Sequence, residues 1–479
     1  MELTVKEIAD MMGGCIISGN PETIIKDFSL SSKEGGEHTL FLPVVGERVD
    51  AHNFIKDAME HGMTATLTER GKVEEGTEAM TYISVDNTLA ALQRMGAAYR
   101  CRFDVKCVAI TGSVGKTSTK EMIATALSAS LKTVKTEGNK NGQFGVPLMV
   151  MKLEPDTECL VLENGVSIIG EMEKLSAVTQ PDIAVVTNIG YSHVGNFGSR
   201  SITRREKLGI IDNMDEEGTL LLNGDDELLS ELLAASPTGK CVSEEVLRAD
   251  TLKAFKRIKV CSYGTGDWCD YKAVNVTLNE SGSEFEYVSA KNHIGVSLQV
   301  PGKHSVLNAI AALACAERSG ADVVLAAKAL NSYRQPAMRG NVEWLKSGIC
   351  LIDDSYNASP DSVKSGLNIL SGITCEGRKI AVLGDMLELG DYSEKCHRLA
   401  GESFINSGAD ILVAVGKESA ATADEVTKNG QAQVYHFEER KDAEDFILGL
   451  LKPGDCIILK GSRGMQLDET VKLIRERFK

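Results

Sequence analysis

The residues best suited to chemistry in this chain are Gly112-Ser113-Val114-Gly115-Lys116-Thr117-Ser118, inside CVAITGSVGKTSTKEMIATALSA. Cys107-Val108-Ala109-Ile110 is a short apolar run that predicts a strand, and Thr111 to Gly115 a tight turn. Lys116-Thr117 then open a helix whose apolar positions Met122, Ile123, Ala126 and Leu127 recur with helical spacing. A strand, a glycine loop and a helix start together cradle phosphate. Loop N–H groups and the helix N-terminus face the anion, the lysine reaches the outer phosphates, and the Thr117 hydroxyl can hold Mg²⁺. The motif is the short form G-x-x-G-K-T, because Ile110 stands where the eight-residue form has its first glycine. An ordinary turn with a solvated lysine is the bland alternative; the flanking strand and helix favour a nucleotide site.

Other candidates follow along the chain. Cys159 to Leu162 predicts a buried strand that ends in Glu163, and a carboxylate at such a strand end sits where open α/β sheets bind ligands. The competing role for Glu163 is a helix or turn cap. Ile183 to Val186 predicts the next strand, with Asn188 and His193 in the loop beyond it. A lone histidine is more often structural than a ligand. This one shares a strand-end surface with Thr117 and Glu163 if the three strands are parallel neighbours. Lys207 lies on the predicted helix RSITRREKLGIIDNM and reads as one of several basic residues on a solvated face. Asn308, in the Gly-led helix GKHSVLNAIAALA, is polar amid apolar neighbours. A helix interior disfavours it unless its amide has a partner, so base binding and capping both stand.

These residues need several sheets to carry them. At 479 residues the chain exceeds one core and implies about three domains. The predicted architecture is α/β throughout: a small N-terminal α/β domain over 1–98, a central P-loop domain with a parallel sheet over 99–330, and a C-terminal doubly wound, Rossmann-like domain over 331–479. Repeated strand–loop–helix units from about residue 99 support this. Residues 239–300 show short alternating stretches (YKAVNVTLNE, SEFEYVSA, GVSLQVP) that predict an antiparallel addition. The last unit is built on GICLIDDSYNASPDSVKSGLNIL, KIAVLGDMLELGDYS, ADILVAVG and CIILKGSRGMQLDETVKLI, with Ser359-Pro360 marking a helix start.

Composition excludes several classes. With 52 Lys+Arg against 68 Asp+Glu the net charge is −16, which argues against nucleic acid and acidic membranes as partners. No run approaches a membrane span of about 18 apolar residues, and MELTVKEIADMMGG has no signal-peptide pattern. A cytoplasmic protein is expected. The 12 cysteines are scattered singly without a C-x-x-C pair, so buried reduced thiols are the simplest account.

On ITGSVGKTSTKEM, GNKNGQFGVPL, GKHSVLNAIAALA, LIDDSYNASPDS, AVLGDMLELGDYSEKCH, LKGSRGM and LFLPVVGERVDAHNF, the chain resembles the Mur ligase family. These are ATP-dependent enzymes that build the peptide of bacterial cell-wall precursors. DDSYNASPDS with GDMLELG points within it to the branch that adds D-Ala-D-Ala to a UDP-N-acetylmuramoyl-tripeptide. The resemblance implies ATP and two Mg²⁺ as cofactors, the tripeptide and dipeptide as partners, and a monomer is expected. It implies that Thr117 and Glu163 hold the first Mg²⁺, Lys116 the transferring phosphate, and His193 a second Mg²⁺. Lys207 matches a family lysine that is carbamylated into a carboxylate-like metal ligand. Asn308 corresponds to an adenine contact, and Arg339 and Asp354 to ATP contacts delivered by the C-terminal domain, with Tyr356-Asn357 on the same loop. Asn357 is assigned to the substrate, as is Ser32, at its uridine end.

Several positions depart from the family pattern. Gly195 and Gly209 replace acidic residues, Lys33 replaces an arginine, and Gly142 replaces an asparagine. VGERVDAH stands for K-G-x-x-x-D-G-H, and ENGVSIIGEM lacks the usual small-residue pattern after its glutamate. A lysine has no bidentate fork for phosphate or carboxylate. The alternatives are therefore a diverged ligase with another acceptor, with folylpolyglutamate synthase more distant, and an ATP-binding paralogue without activity.

Overall fold

The computed structural model describes residues 1–46, 49–235, 243, 246–280 and 282–479. The chain forms three main sheets in sequence order. The first has five strands in the order Cys15–Ser18, Thr81–Ser84, Ala65–Thr68, Thr39–Phe41, Asp27–Ser29, and only the first pair is antiparallel. Glu47 and Arg48 of VGERVDAH lie outside the described residues.

The second sheet has nine strands. Its parallel part runs from Thr133–Lys135 through Cys159–Glu163, Lys106–Thr111, Ile183–Val186 and Thr219–Asn223 to Lys259–Gly264, which pairs parallel with Tyr271–Asn279. Strand Lys106–Thr111 is the switch point: the chain first builds to one side of it, then crosses to Ile183–Val186 on the other. Ligands of such sheets bind in the crevice beyond these strand ends. Cys107 to Ile110, Cys159 to Leu162 and Ile183 to Val186 are all buried, because helices cover both faces of a parallel sheet and leave no place for polar alternation.

The predicted antiparallel addition is present as Tyr271–Asn279, Gly282–Val288 and His293–Leu298. It occupies less of 239–300 than the alternation suggests. Helix Ala249–Arg257 and the parallel strand Lys259–Gly264 fill the earlier part, while 239–242, 244–245 and 281 lie outside the described residues. The helix is amphipathic, burying Leu252, Ala254 and Phe255, and its short length hides that period.

The third sheet runs Asn341–Trp344, Cys350–Asp353, Cys456–Lys460, Lys379–Gly384, Ile411–Val415, Gln433–Phe437, parallel except for its first pair. The first two sheets are joined by helix Thr88–Arg100. It buries Ala91, Leu92, Met95 and Tyr99 in a single apolar cluster that continues from Leu3 to Ile258. Gly96 faces Pro147 so closely that a Cβ would lie 3.0 Å from the proline ring. This helix crosses residue 98, so a core is shared across that position. Eight of the eleven described cysteines are buried free thiols, whereas Cys15 and Cys101 are exposed and Cys375 half-buried.

Candidate active site

The phosphate loop is fixed by its neighbours before any ligand arrives. Gly112 has φ +148°, and a Cβ there would lie 1.9 Å from Thr187 Oγ1; only glycine fits. Asn188 accepts from the Ser113 and Val114 N–H groups at 3.1 and 2.8 Å through its side-chain oxygen. Thr187 Oγ1 donates to the Val114 carbonyl at 2.6 Å, and Gly190 N–H to Ser113 Oγ at 2.9 Å. Lys116, first residue of helix Lys116–Leu127, folds its Nζ back onto the Gly112 carbonyl at 2.8 Å. Burial holds this ammonium below the usual lysine range, opposed by the Glu163 carboxylate and reinforced by Arg339.

Glu163 ends its strand as predicted and is 1% exposed. Oε1 accepts from Thr117 Oγ1 at 3.2 Å and from Asn141 Nδ2 at 2.8 Å. Oε2 is buried with no hydrogen-bond partner. A carboxylate that caps spends its oxygens on backbone N–H groups; this one instead faces a threonine hydroxyl and leaves an acceptor unspent. The arrangement fits a cation. One carboxylate and one hydroxyl are oxygen donors that suit Mg²⁺, which keeps waters and substrate phosphates among its ligands.

The predicted residues divide by their place relative to one cleft. Ser113 to Ser118, Glu163, His193, Asn308, Arg339, Asp354 and Asn357 all line one cleft of about 470 Å³ between the second and third sheets. Gly112 lies behind it, shaping the loop. Ser32 lies outside the cleft, half-buried after strand Asp27–Ser29. Lys207 corrects the expectation of a solvated face: it is 0% exposed. Its Nζ has no hydrogen-bond partner and lies 5.9 Å from the Phe197 ring centroid. Burial drives it well below the usual range, with the Lys116 charge next in effect.

The third sheet presents its own groups. Lys460 Nζ pairs with Asp354 at 2.6 Å and donates to the Asn357 carbonyl at 3.1 Å. The Arg339 guanidinium lies 4.1 Å from the Tyr356 ring centroid, a cation–π stack. His304, one turn before Asn308 on helix Lys303–Arg318, also lines the cleft. Lys460 and His304 lie within LKGSRGM and GKHSVLNAIAALA but are not singled out by the sequence; the signals are that Lys460 ends a strand as Glu163 does and that His304 precedes Asn308 by four residues.

The departures from the family pattern differ in what surrounds them: backbone at Gly195, the movable end of a side chain at Gly209. At Gly195 a Cβ would lie 2.6 Å from the Gly390 nitrogen and 2.8 Å from the Glu388 carbonyl oxygen. At Gly209 it would meet the Arg248 guanidinium at 2.1 Å, which donates to Asp212 at 2.5 Å. Gly142, by contrast, has open space, and Lys33 is exposed.

A glycine phosphate loop at the switch point of one parallel sheet, facing charged strand ends of a second, defines a nucleotide-using α/β enzyme class. Residues 110–316 match the Mur ligase middle domain and residues 339–463 the Mur ligase glutamate ligase domain. The chain belongs to the Mur ligase family. It is 36% identical to the UDP-N-acetylmuramoyl-tripeptide–D-alanyl-D-alanine ligase of Bacillus subtilis, over 98% of this chain and 97% of that one. The enzyme of that name from Escherichia coli is 28% identical, over 99% of both. Among solved structures, MurF from Acinetobacter baumannii superposes with a TM-score of 0.88 at 28% identity, covering 99% of each chain. MurF ligase from Thermotoga maritima in complex with ADP superposes at 0.80 and 25% identity, over 95% of this chain and 98% of that one.

Proposed function

We propose that this chain is an ATP-dependent amide ligase that joins D-alanyl-D-alanine to the terminal carboxylate of a UDP-N-acetylmuramoyl-tripeptide. It acts as a monomer in the cytoplasm. The observation that carries the reading is the buried, unpaired Glu163 Oε2 beside Thr117 and Lys116 at a strand-end cleft. The near full-length likeness to relatives bearing that name supports the choice of substrate.

A carboxylate is a poor electrophile because oxide is its leaving group. In the reaction the tripeptide carboxylate attacks the γ-phosphorus of ATP, the bond to ADP breaks, and an acyl phosphate forms. The dipeptide amine then attacks the carbonyl carbon, and phosphate leaves with the bonding electrons as the amine loses its proton. The protein's part is positioning and charge neutralisation. Lys116 holds the transferring phosphoryl group once its Nζ leaves the Gly112 carbonyl. The loop N–H groups not taken by Asn188 face the phosphates. Thr117 and Glu163 would hold one Mg²⁺, and His193 with carbamylated Lys207 a second; Mg²⁺ supplies charge neutralisation on the phosphate oxygens. Asn308 contacts the adenine, Arg339 and Asp354 meet the nucleotide from the third sheet, Asn357 meets the peptide substrate, and Ser32 its uridine end. Residues 1–98 would serve the UDP substrate and 99–330 ATP, with 331–479 the C-terminal ligase domain.

The test is ADP release with Mg²⁺-ATP against UDP-MurNAc-tripeptides carrying lysine or diaminopimelate, each with and without D-Ala-D-Ala. Turnover should require both tripeptide and dipeptide and disappear in Lys116→Ala. Turnover with a different amine in place of D-Ala-D-Ala, and none with the dipeptide, would overturn the assignment.

A further inference from the structure

The turn at Met386–Tyr392 belongs to the third sheet's domain yet is seated on the second. Gly195 N–H donates to the Glu388 carbonyl at 3.1 Å, and Tyr392 Oη to the Gly198 carbonyl at 3.1 Å. Val194, fully buried, packs into the same apolar cluster as Met386 and Leu389. From its own side the turn is held by Met386 N–H donating to His397 Nε2 at 3.0 Å and Leu387 N–H to Ser462 Oγ at 2.9 Å. Glu388 itself has φ +63°. A non-glycine residue stays in that region only where its surroundings fix it, and such residues gather at functional sites. The outcome of this construction is one contact: the Glu388 carboxylate oxygen Oε2 lies against His193 Nδ1 as an ion pair, without an aligned hydrogen bond.

We infer that Glu388 is a positioning residue for His193, supplied by the third domain and admitted by the missing side chain at Gly195. The inference rests on the proposal that His193 serves a divalent ion. An imidazole has two nitrogens, and the partner of one decides which is left for the ion. With Nδ1 facing a carboxylate, Nε2 is the nitrogen left for an ion. Carboxylates in this position orient the ring and raise its basicity, and their loss typically weakens metal binding by about 10–100-fold. Because Glu388 and His193 lie on different domains, the orienting contact exists only while the Met386–Tyr392 turn is docked on Gly195. The ion site is thereby completed by the domain that also brings Arg339 and Asp354 to the cleft. Among the described residues no other carboxylate pairs with the His193 ring.

The test uses the full chain with a non-hydrolysable ATP analogue and Mn²⁺ as the probe, bound ion being counted by electron paramagnetic resonance. Glu388→Asn is the first variant, since asparagine tolerates φ > 0 but is too short to reach the ring. Glu388→Gln keeps the length and loses the charge. His193→Gln is the reference, and melting curves of all variants establish that they fold. Expected is a loss of about tenfold or more in the affinity of one Mn²⁺ in Glu388→Asn, a smaller loss in Glu388→Gln, and no change in the other ion. The double variant should bind no more weakly than His193→Gln alone. Wild-type Mn²⁺ binding in Glu388→Asn, with weakened binding in His193→Gln, would overturn this inference and leave the ligand role of His193 standing. Wild-type binding in both would overturn the role of His193 and the inference with it.

Discussion

Thr119 Oγ1 donates to the Asn308 side-chain oxygen at 2.9 Å, tying the phosphate helix to helix Lys303–Arg318. This contact gives the Asn308 amide a partner inside the fold and removes capping from the two roles that the sequence leaves open. The residue caps nothing; it sits in a helix interior, 8% exposed. With its oxygen committed to Thr119, its amide N–H groups are what it has left to offer to an acceptor. Thr119→Val keeps the shape and removes the donor, so the amide is free to flip. The expected result is a rise in the KM for ATP of roughly 2–13-fold, the equivalent of one hydrogen bond of about 0.5–1.5 kcal/mol, with kcat little changed. An equal fall in kcat and kcat/KM would instead place Asn308 in contact with the transition state.

The Asp354–Lys460 pair joins two adjacent strand ends of the third sheet, and its side chains are 15% and 3% exposed. Burial pushes the Asp354 carboxyl above its usual range, and the lysine opposes that shift. Removing one partner of such a pair leaves the other charge stranded, at a cost of roughly 3–5 kcal/mol. Asp354→Ala should therefore lower the melting midpoint more than the double variant Asp354→Ala/Lys460→Met does. If the double variant melts lower than the single one, the pair is not the source of the loss.

Much of this site is legible from the chain alone, for a definite reason. Strands buried on both faces of a parallel sheet are unbroken apolar runs, so Ile183–Val186 and Cys159–Glu163 show their bounds and the residues that follow them. The strand ends, the phosphate loop and the helix start are all local, and so is the chemistry they carry. Lys207 is different. RSITRREKL reads as a solvated face because five of its nine residues are basic or acidic, yet Thr203, Arg204, Glu206 and Lys207 are buried. Arg204 pairs with Glu231 at 2.6 Å, and Glu206 accepts from the Gly170 and Met172 N–H groups. Those partners are 27 to 36 residues away, beyond any periodic pattern. Gly195 and Gly209 are legible as departures, but what fills their space, the 388–390 turn and Arg248, is set by tertiary contact. Glu388 belongs to a motif whose partner lies in another domain.

His304 gives a pH prediction. Burial pushes its imidazole down to about 4, and the nearby Lys460 charge acts in the same direction. In the unfolded chain it titrates near about 6.5. Between those values the unfolded chain binds the extra proton, so stability rises with pH across that window and falls as pH drops from about 6.5 to 4. The contribution is at most roughly 3.5 kcal/mol. His304→Asn should flatten the acid limb of melting midpoint against pH in that window relative to wild type. Parallel curves for the two proteins would show that His304 does not carry the dependence.

Lys207 combines full burial, an unpaired Nζ and a strongly depressed affinity for its proton. An unpaired ammonium in this place would cost several kcal/mol, so the amine is driven toward its neutral, nucleophilic form. Attack of that nitrogen on carbon dioxide forms an N–C bond, releases a proton and leaves a carbamate whose oxygens suit Mg²⁺. In [¹³C]bicarbonate buffer the protein should show a carbamate carbon resonance that is missing in Lys207→Met. The same variant should lose turnover by about 100-fold, the upper range for losing a group that tunes a metal site. It should nevertheless melt no lower than wild type, because methionine fills a similar volume without a charge to desolvate. Loss of activity with unchanged stability separates a functional lysine from a structural one. A carbamate signal that persists in Lys207→Met would move the modification to another lysine, and a melting midpoint several degrees lower would mean that the ammonium has a stabilising partner after all.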